Sequence, residues 1–269
     1  MSRITLACLD MAGTTVADDG TVLAAFHGAL DALGVIGEAE RGRMTEYVVA
    51  TMGESKITVF RALFPGDEER AQQANRAFEA AYARGIDRAA PIPGAVQAME
   101  SLRDRGVRIA LTTGFSRATA DALLDHLGWR ALIDLCLTPQ DVAGRGRPHP
   151  DLVLAAAAGL ADGDPARVAV AGDTVGDIRS GLAAGAPIVA GVLTGAHDRD
   201  RLTEAGATHL LDSIADLPAL LAGPDSTPGA AHMSNSAARL PAVLTGPDEA
   251  PGPLTPLDPL HSTFTTAPD

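Results

Sequence analysis

Asp10 ends a short apolar run, Ile4-Thr5-Leu6-Ala7-Cys8-Leu9, and is followed by Met11-Ala12-Gly13-Thr14-Thr15. A carboxylate at the C-terminal end of a buried parallel strand sits where open α/β sheets bind ligands. The small residues after it, Gly13 and Thr14, let a phosphate approach backbone N–H groups. In that setting Asp10 can attack phosphorus and form an aspartyl-phosphate. Three later stretches supply the remaining parts of such chemistry. Thr113 and the N–H of Gly114, after the run ending Leu111-Thr112, can hold phosphate oxygens. Arg147, in Arg145-Gly146-Arg147-Pro148, can neutralise them. Asp173 and Asp177 follow the run Val168-Ala169-Val170-Ala171-Gly172. With Asp10 and Asp173 as hard oxygen ligands the set suits Mg²⁺. The spacing of four predicts that Asp177 shares a helical face with Asp173 and supports the metal shell.

A different chemistry attaches to Lys56. Of 21 Lys and Arg residues it is the only lysine, in a chain that otherwise uses arginine for positive charge. Arginine stays protonated, whereas a lysine amine can lose its proton and attack a carbonyl carbon. A retained lysine therefore points to a job that a guanidinium cannot perform.

These residues need elements to position them. After a connector at 17–21, the apolar residues Val22, Leu23, Phe26, Leu30 and Leu33 recur at helical spacing, and Gly34 ends the run. Further helices are predicted from Glu38 to Thr51, through Ile57, Phe60, Leu63 and Phe64, and over 67–84. Four helices without a strand form a small helical cap inserted after the first strand, over 17–90. Pro91 and Pro93 punctuate the return. Strands are then predicted at 107–112, 133–137, 167–171, 187–192 and, weakly, 208–211. Helices at 94–105, 116–127, 151–159 and 175–185 alternate with them. Such alternation predicts a doubly wound parallel α/β sheet, built from 1–16 and 91–222. From Gly223 to Asp269 Pro, Ser, Thr, Gly and Ala dominate and the apolar period is lost, as expected of a disordered tail.

The chain has 269 residues, 46% of them hydrophobic, which suits a globular protein. Its formal charge of −13 argues against a nucleic-acid or anionic-membrane partner, but not against a small phosphorylated substrate bound in a locally positive site. Cys8 and Cys136 lie within apolar runs and read as core thiols. No run is long enough for a membrane span, and the start does not read as a signal peptide, so a soluble cytoplasmic protein is expected. The oligomeric state is left open, a homodimer through a cap helix being one option.

Acid, hydroxyl, cation and paired acids, each after a strand and in this order, resemble the four motifs of the haloacid dehalogenase superfamily. The resemblance spans about residues 1–222 and implies Asp10 as nucleophile and Mg²⁺ as cofactor, with the Ala12 carbonyl as a further metal ligand. Many phosphatases of that superfamily carry a second acid two residues after the nucleophile, to protonate the leaving oxygen; here that position is Ala12. Asp10-Met11-Ala12-Gly13-Thr14 together with Met52-Gly53-Glu54-Ser55-Lys56 resembles the phosphonatase branch. That branch implies a substrate contact at Met52 and Gly53 and a Schiff base between Lys56 and an aldehyde phosphonate. Val59 and Phe115 stand where it carries His and Tyr. Two activities follow as expectations: C–P hydrolysis of phosphonoacetaldehyde or a close aldehyde phosphonate, and, as the alternative, phosphomonoester hydrolysis of the phosphoglycolate phosphatase type.

Overall fold

Residues 3–222 are described by the structure, a computed structural model. Residues 223–269, including the tail expected to be disordered, lie outside the described residues.

The first strand, β1 (Leu6–Asp10), is buried along its whole length. A strand apolar on both faces belongs at the centre of a parallel sheet covered by helices on each side. It pairs in parallel with β2 (Arg108–Thr112) on one edge and with β4 (Val168–Gly172) on the other. With β3 (Leu135–Leu137), β5 (Ile188–Val192) and β6 (His209–Leu211) the sheet has six strands, ordered β3-β2-β1-β4-β5-β6. The order reverses at β1, so a crevice opens at the C-terminal ends of β1, β2 and β4. Asp10 lies level with Thr112 across that pairing.

Helices α5 (Ala95–Asp104), α6 (Arg117–Leu127), α7 (Asp151–Leu160) and α8 (Val175–Ala184) cross between strands, as the alternation predicts. Two short helices, α9 (Arg199–Glu204) and α10 (Leu217–Ala222), complete the described core. Each is only six residues, too short for a helical period to stand out in the sequence.

Between β1 and α5 lie α1 (Thr21–Ala32), α2 (Glu38–Ala50), α3 (Lys56–Leu63) and α4 (Glu68–Ala83), an all-helical cap. Phe26 of α1, Phe60 of α3 and Phe78 of α4 meet at its centre, with ring centroids 4.7–6.2 Å apart. The two connectors run side by side: Ala17 N–H donates to the Ala90 carbonyl and Ile92 N–H to the Thr15 carbonyl, both at 2.9 Å. Cys8 is buried and Cys136 half-buried; both are free thiols.

Candidate active site

Asp10, Asp173 and Asp177 converge at the mouth of the crevice, each offering a carboxylate oxygen within 4.8 Å of the others, and all three are buried. Asp10 extends from the end of β1, and Asp173 follows β4. The expectation that Asp173 and Asp177 share a helical face needs correction. Asp173 precedes the helix, and Asp177 occupies its first turn as part of a capping box. There the Asp177 carboxylate accepts the Thr174 N–H and hydroxyl, at 3.1 and 2.5 Å. Its other oxygen accepts from Arg147 Nε at 2.8 Å. The capping box, a local device that satisfies orphan N–H groups, thereby turns Asp177 back toward the strand ends.

Crowding perturbs these acids. Burial, then the charges of Asp10 and Asp177, push the Asp173 carboxyl well above the usual range. Burial also raises Asp177, to about 6, against the lowering pull of Arg147. Three buried carboxylates face one guanidinium, which leaves an excess of negative charge among oxygen donors. That donor set and charge fit a divalent hard cation such as Mg²⁺, which Asp10, Asp173 and Asp177 would hold. Ala12 lies on the wall of the same cavity.

Arg147 is buried and its donors are extensively used. Nη2 reaches Asp10 at 2.7 Å and the Thr112 carbonyl at 2.6 Å, and Nη1 reaches the Gly53 carbonyl at 3.3 Å. It thus ties β1, β2, α8 and the cap loop to one point. Thr14, expected among phosphate-binding residues, is turned the other way. It is fully buried, its hydroxyl donates to Asp173 Oδ1 at 2.7 Å and its N–H to the Met11 carbonyl at 3.2 Å. Its side chain orients an acid of the cluster instead of facing the cavity.

A cavity of about 250 Å³ lies above the cluster, lined by core and cap together. From the core come Asp10, Ala12, Gly13, Thr113, Gly114 and Arg147; from the cap come Met52, Gly53 and Lys56. Of the candidate catalytic, binding and metal-ligating residues named from the sequence, Thr14 and Asp177 are the two absent from its wall. The Thr113 hydroxyl oxygen accepts the Phe115 N–H at 3.2 Å, which leaves its proton free to donate.

Lys56 opens α3 and is 6% exposed. Its Nζ contacts the Glu54 carbonyl at 3.4 Å, and no carboxylate among the described residues lies within ion-pair distance. Instead the rings of Phe115, Phe26 and Phe78 stand 5.3, 5.9 and 6.0 Å away. Burial among these rings lowers the amine to about 8, more than the field of Asp10 restores. Val59 is buried in the same helix, and Phe115 packs on Tyr82 at 4.7 Å.

One part of the wall escaped the sequence reading. The loop after β5 brings Thr194, Gly195 and Ala196 into the cavity, and the Ala196 N–H donates to Asp173 Oδ2 at 2.8 Å. Next to it, His197 bridges core and cap: Nδ1 accepts the Val175 N–H at 2.9 Å, so Nε2 donates to the Val49 carbonyl at 3.2 Å. The signal was present, since Leu193-Thr194-Gly195 repeats the strand-then-Thr-Gly pattern of Thr112-Thr113-Gly114.

Comparison with known proteins agrees with this geometry. Residues 4–185 match the model of the haloacid dehalogenase-like hydrolases. A phosphonoacetaldehyde hydrolase of Bacteroides fragilis is 30% identical over 265 residues, covering 82% of this chain and 97% of the relative. A Dickeya dadantii protein named "Probable phosphatase IndB" is 30% identical over 217 residues, covering 79% of this chain and 91% of its own. Among solved structures, a hydrolase from Pseudomonas syringae superposes with a TM-score of 0.72 at 26% identity, covering 82% of this chain and all of that one. With the buried acid cluster and the strand order in place, the chain belongs to the haloacid dehalogenase-like hydrolases and is an enzyme of that family.

Proposed function

We propose that this enzyme hydrolyses the carbon–phosphorus bond of phosphonoacetaldehyde or a closely related aldehyde phosphonate. The observation that carries the reading is Lys56. A buried amine with its basicity lowered to about 8 and no carboxylate partner faces the same cavity as Asp10. Such an amine is matched to carbonyl attack near neutral pH. Ala12 supports the same reading, because it cannot protonate a leaving oxygen. An iminium on Lys56 removes that need: the electron pair of the breaking C–P bond becomes the C=C bond of an enamine on Lys56 as the C=N π pair moves to nitrogen, and no bare carbanion forms.

In this scheme Asp10 attacks phosphorus opposite the departing carbon. Thr113 and Gly114 hold the phosphoryl oxygens, and Gly13 leaves room for them. Arg147 orients Asp10 and directs positive charge at the phosphoryl group. Met52 and Gly53 carry the cap loop over the substrate. When bound, Mg²⁺ supplies positive charge that offsets the phosphoryl oxygens and the acid cluster. Water then releases acetaldehyde from Lys56 and phosphate from Asp10. The core in this reading comprises 1–16 and 91–222, and the cap 17–90.

A second reading is phosphate-ester hydrolysis, motivated by the relative named "Probable phosphatase IndB". There Lys56 serves as an anion-binding group. The deciding assay measures phosphate and acetaldehyde release from phosphonoacetaldehyde with Mg²⁺, beside Lys56→Arg and Asp10→Asn. Loss of both products in both variants supports C–P hydrolysis. Phosphate freed only from esters, with Lys56→Arg still active, replaces it with the second reading.

A further inference from the structure

Imine formation on a buried ammonium needs a group that removes its proton and later protonates the departing oxygen. The titratable residues lining the cavity are few: Asp10, Asp173, Arg147, Lys56 and Asp18. Asp10 and Asp173 belong to the acid cluster. Arg147 stays protonated and is bound to Asp10 and Asp177. Phe115, whose ring stands beside the amine, has no proton to transfer. Two other acids come within the electrostatic field of Lys56. Glu79 is bound to the Ser116 hydroxyl at 2.6 Å and to that of Thr119, and Glu54 is not on the cavity wall. Asp18 is what remains.

Asp18 lies on the connector between β1 and α1, half-buried, on the loop that begins at Asp10. Its Oδ1 accepts the Val22 N–H at 2.9 Å, which fixes the carboxyl at the start of α1. The Thr21 N–H also binds the carboxyl, and Asp18 lines the same cavity as Lys56, which lets a proton pass between them through that space. Burial raises this carboxyl, while the Lys56 cation opposes the rise. The other charged or titratable neighbours are Asp19 on the same connector and the Tyr82 phenol on α4, which itself senses Asp18.

We propose that Asp18 is a catalytic acid–base residue for the carbonyl chemistry at Lys56; the proposal rests on the C–P hydrolysis reading above. Through one cavity water, since the two groups lie beyond ion-pair distance, the Asp18 carboxylate takes one proton from the Lys56 ammonium. The freed amine forms a C–N bond to the aldehyde carbon as the C=O π pair moves to oxygen. A proton passes from nitrogen to that oxygen, giving a neutral carbinolamine. Asp18 then returns its proton to the hydroxyl, the C–O bond breaks and water leaves. The products are a protonated imine, one water and Asp18 again as carboxylate, so charge and protons balance.

The test compares wild type, Asp18→Asn and Asp18→Glu with phosphonoacetaldehyde. Asparagine keeps the oxygen that caps Val22 but cannot carry a proton. The readouts are the rate at which borohydride traps the substrate on Lys56, the pH profile of kcat and the affinity for Mg²⁺. The expected result for Asp18→Asn is adduct formation slowed roughly 100-fold or more, an acidic limb set by the Lys56 amine alone and unchanged Mg²⁺ affinity, with partial recovery in Asp18→Glu. Wild-type trapping with an undiminished rate in Asp18→Asn overturns the role of Asp18 alone. No trapping even in wild type overturns the C–P reading and the role of Asp18 with it.

Discussion

The Gly53 carbonyl of the cap loop rests directly on Gly114 of the core: a methyl group added at Gly114 would lie 2.7 Å from that oxygen. Gly53 itself has φ +91°, and a methyl there would meet Thr174 Oγ1 at 2.5 Å. Two residues without side chains thus let the segment carrying Lys56 lie against the strand ends carrying Asp10 and Asp173. The Gly53 carbonyl also accepts from Arg147 in this arrangement, which ties the approach to the acid cluster.

Gly114→Ala should therefore lift the cap loop from the core. A displacement near 1 Å of a positioning loop costs on the order of 100-fold in rate. Overpacking at the contact should destabilise the fold by about 1–3 kcal/mol. Steady-state kinetics and thermal melts check both, and an alanine variant of wild-type rate would show that the closed contact is not needed for turnover.

Lys56→Met should abolish C–P hydrolysis and yet raise the melting temperature. The amine falls from its ordinary 10.5 to about 8 on folding, so at pH 7 the unfolded chain holds that proton more favourably. A shift of that size corresponds to roughly 3 kcal/mol, which an apolar side chain among Phe26, Phe78 and Phe115 would recover. The sign gives a second check. Wild-type stability should rise with pH between about 8 and 10.5, where the unfolded chain binds the extra proton, and the Met variant should lose that contribution. Melts across that window distinguish the two proteins.

The same lowered basicity predicts a pH–rate profile. Attack on a carbonyl uses the free amine, so kcat/KM for phosphonoacetaldehyde should climb with pH and level off above about 8. A lysine that only binds an anion must stay protonated, and activity would then fall across the same limb. Rates measured from pH 6 to 9 decide between the two slopes.

Arg147→Met should leave Asp10 and Asp177 without their ion-pair partner. Removing one partner of a buried ion pair costs about 3–5 kcal/mol, because the remaining charge is stranded. Mg²⁺ should restore part of the lost melting temperature in this variant, and a chelator should lower that of wild type. Calorimetry with and without Mg²⁺ reads both effects. A melting temperature indifferent to Mg²⁺ in either protein would argue that the acid cluster does not hold a divalent cation.

The sequence by itself determined the sheet and the cap. Apolar runs such as Leu6–Leu9 and Val168–Ala171 mark buried parallel strands, and Val22, Phe26 and Leu30 mark a helix face, because the two backbone periods are local properties of the chain. Asp10, Asp173 and Lys56 were legible for a related reason: each is an unusual residue type at the end of a regular element. Tertiary structure decided which way those side chains and their neighbours turn. Thr14 faces Asp173 instead of the cavity, and Asp177 reaches the cluster through its capping box with Thr174. Thr194, Gly195 and Ala196 join the wall from nearly two hundred residues after Asp10. The ring of phenylalanines that depresses Lys56 is drawn from α1, α4 and the loop after β2. Burial and charge at a site are sums over residues that only the fold brings together, so the chemistry each side chain can perform was fixed there and not in its local sequence.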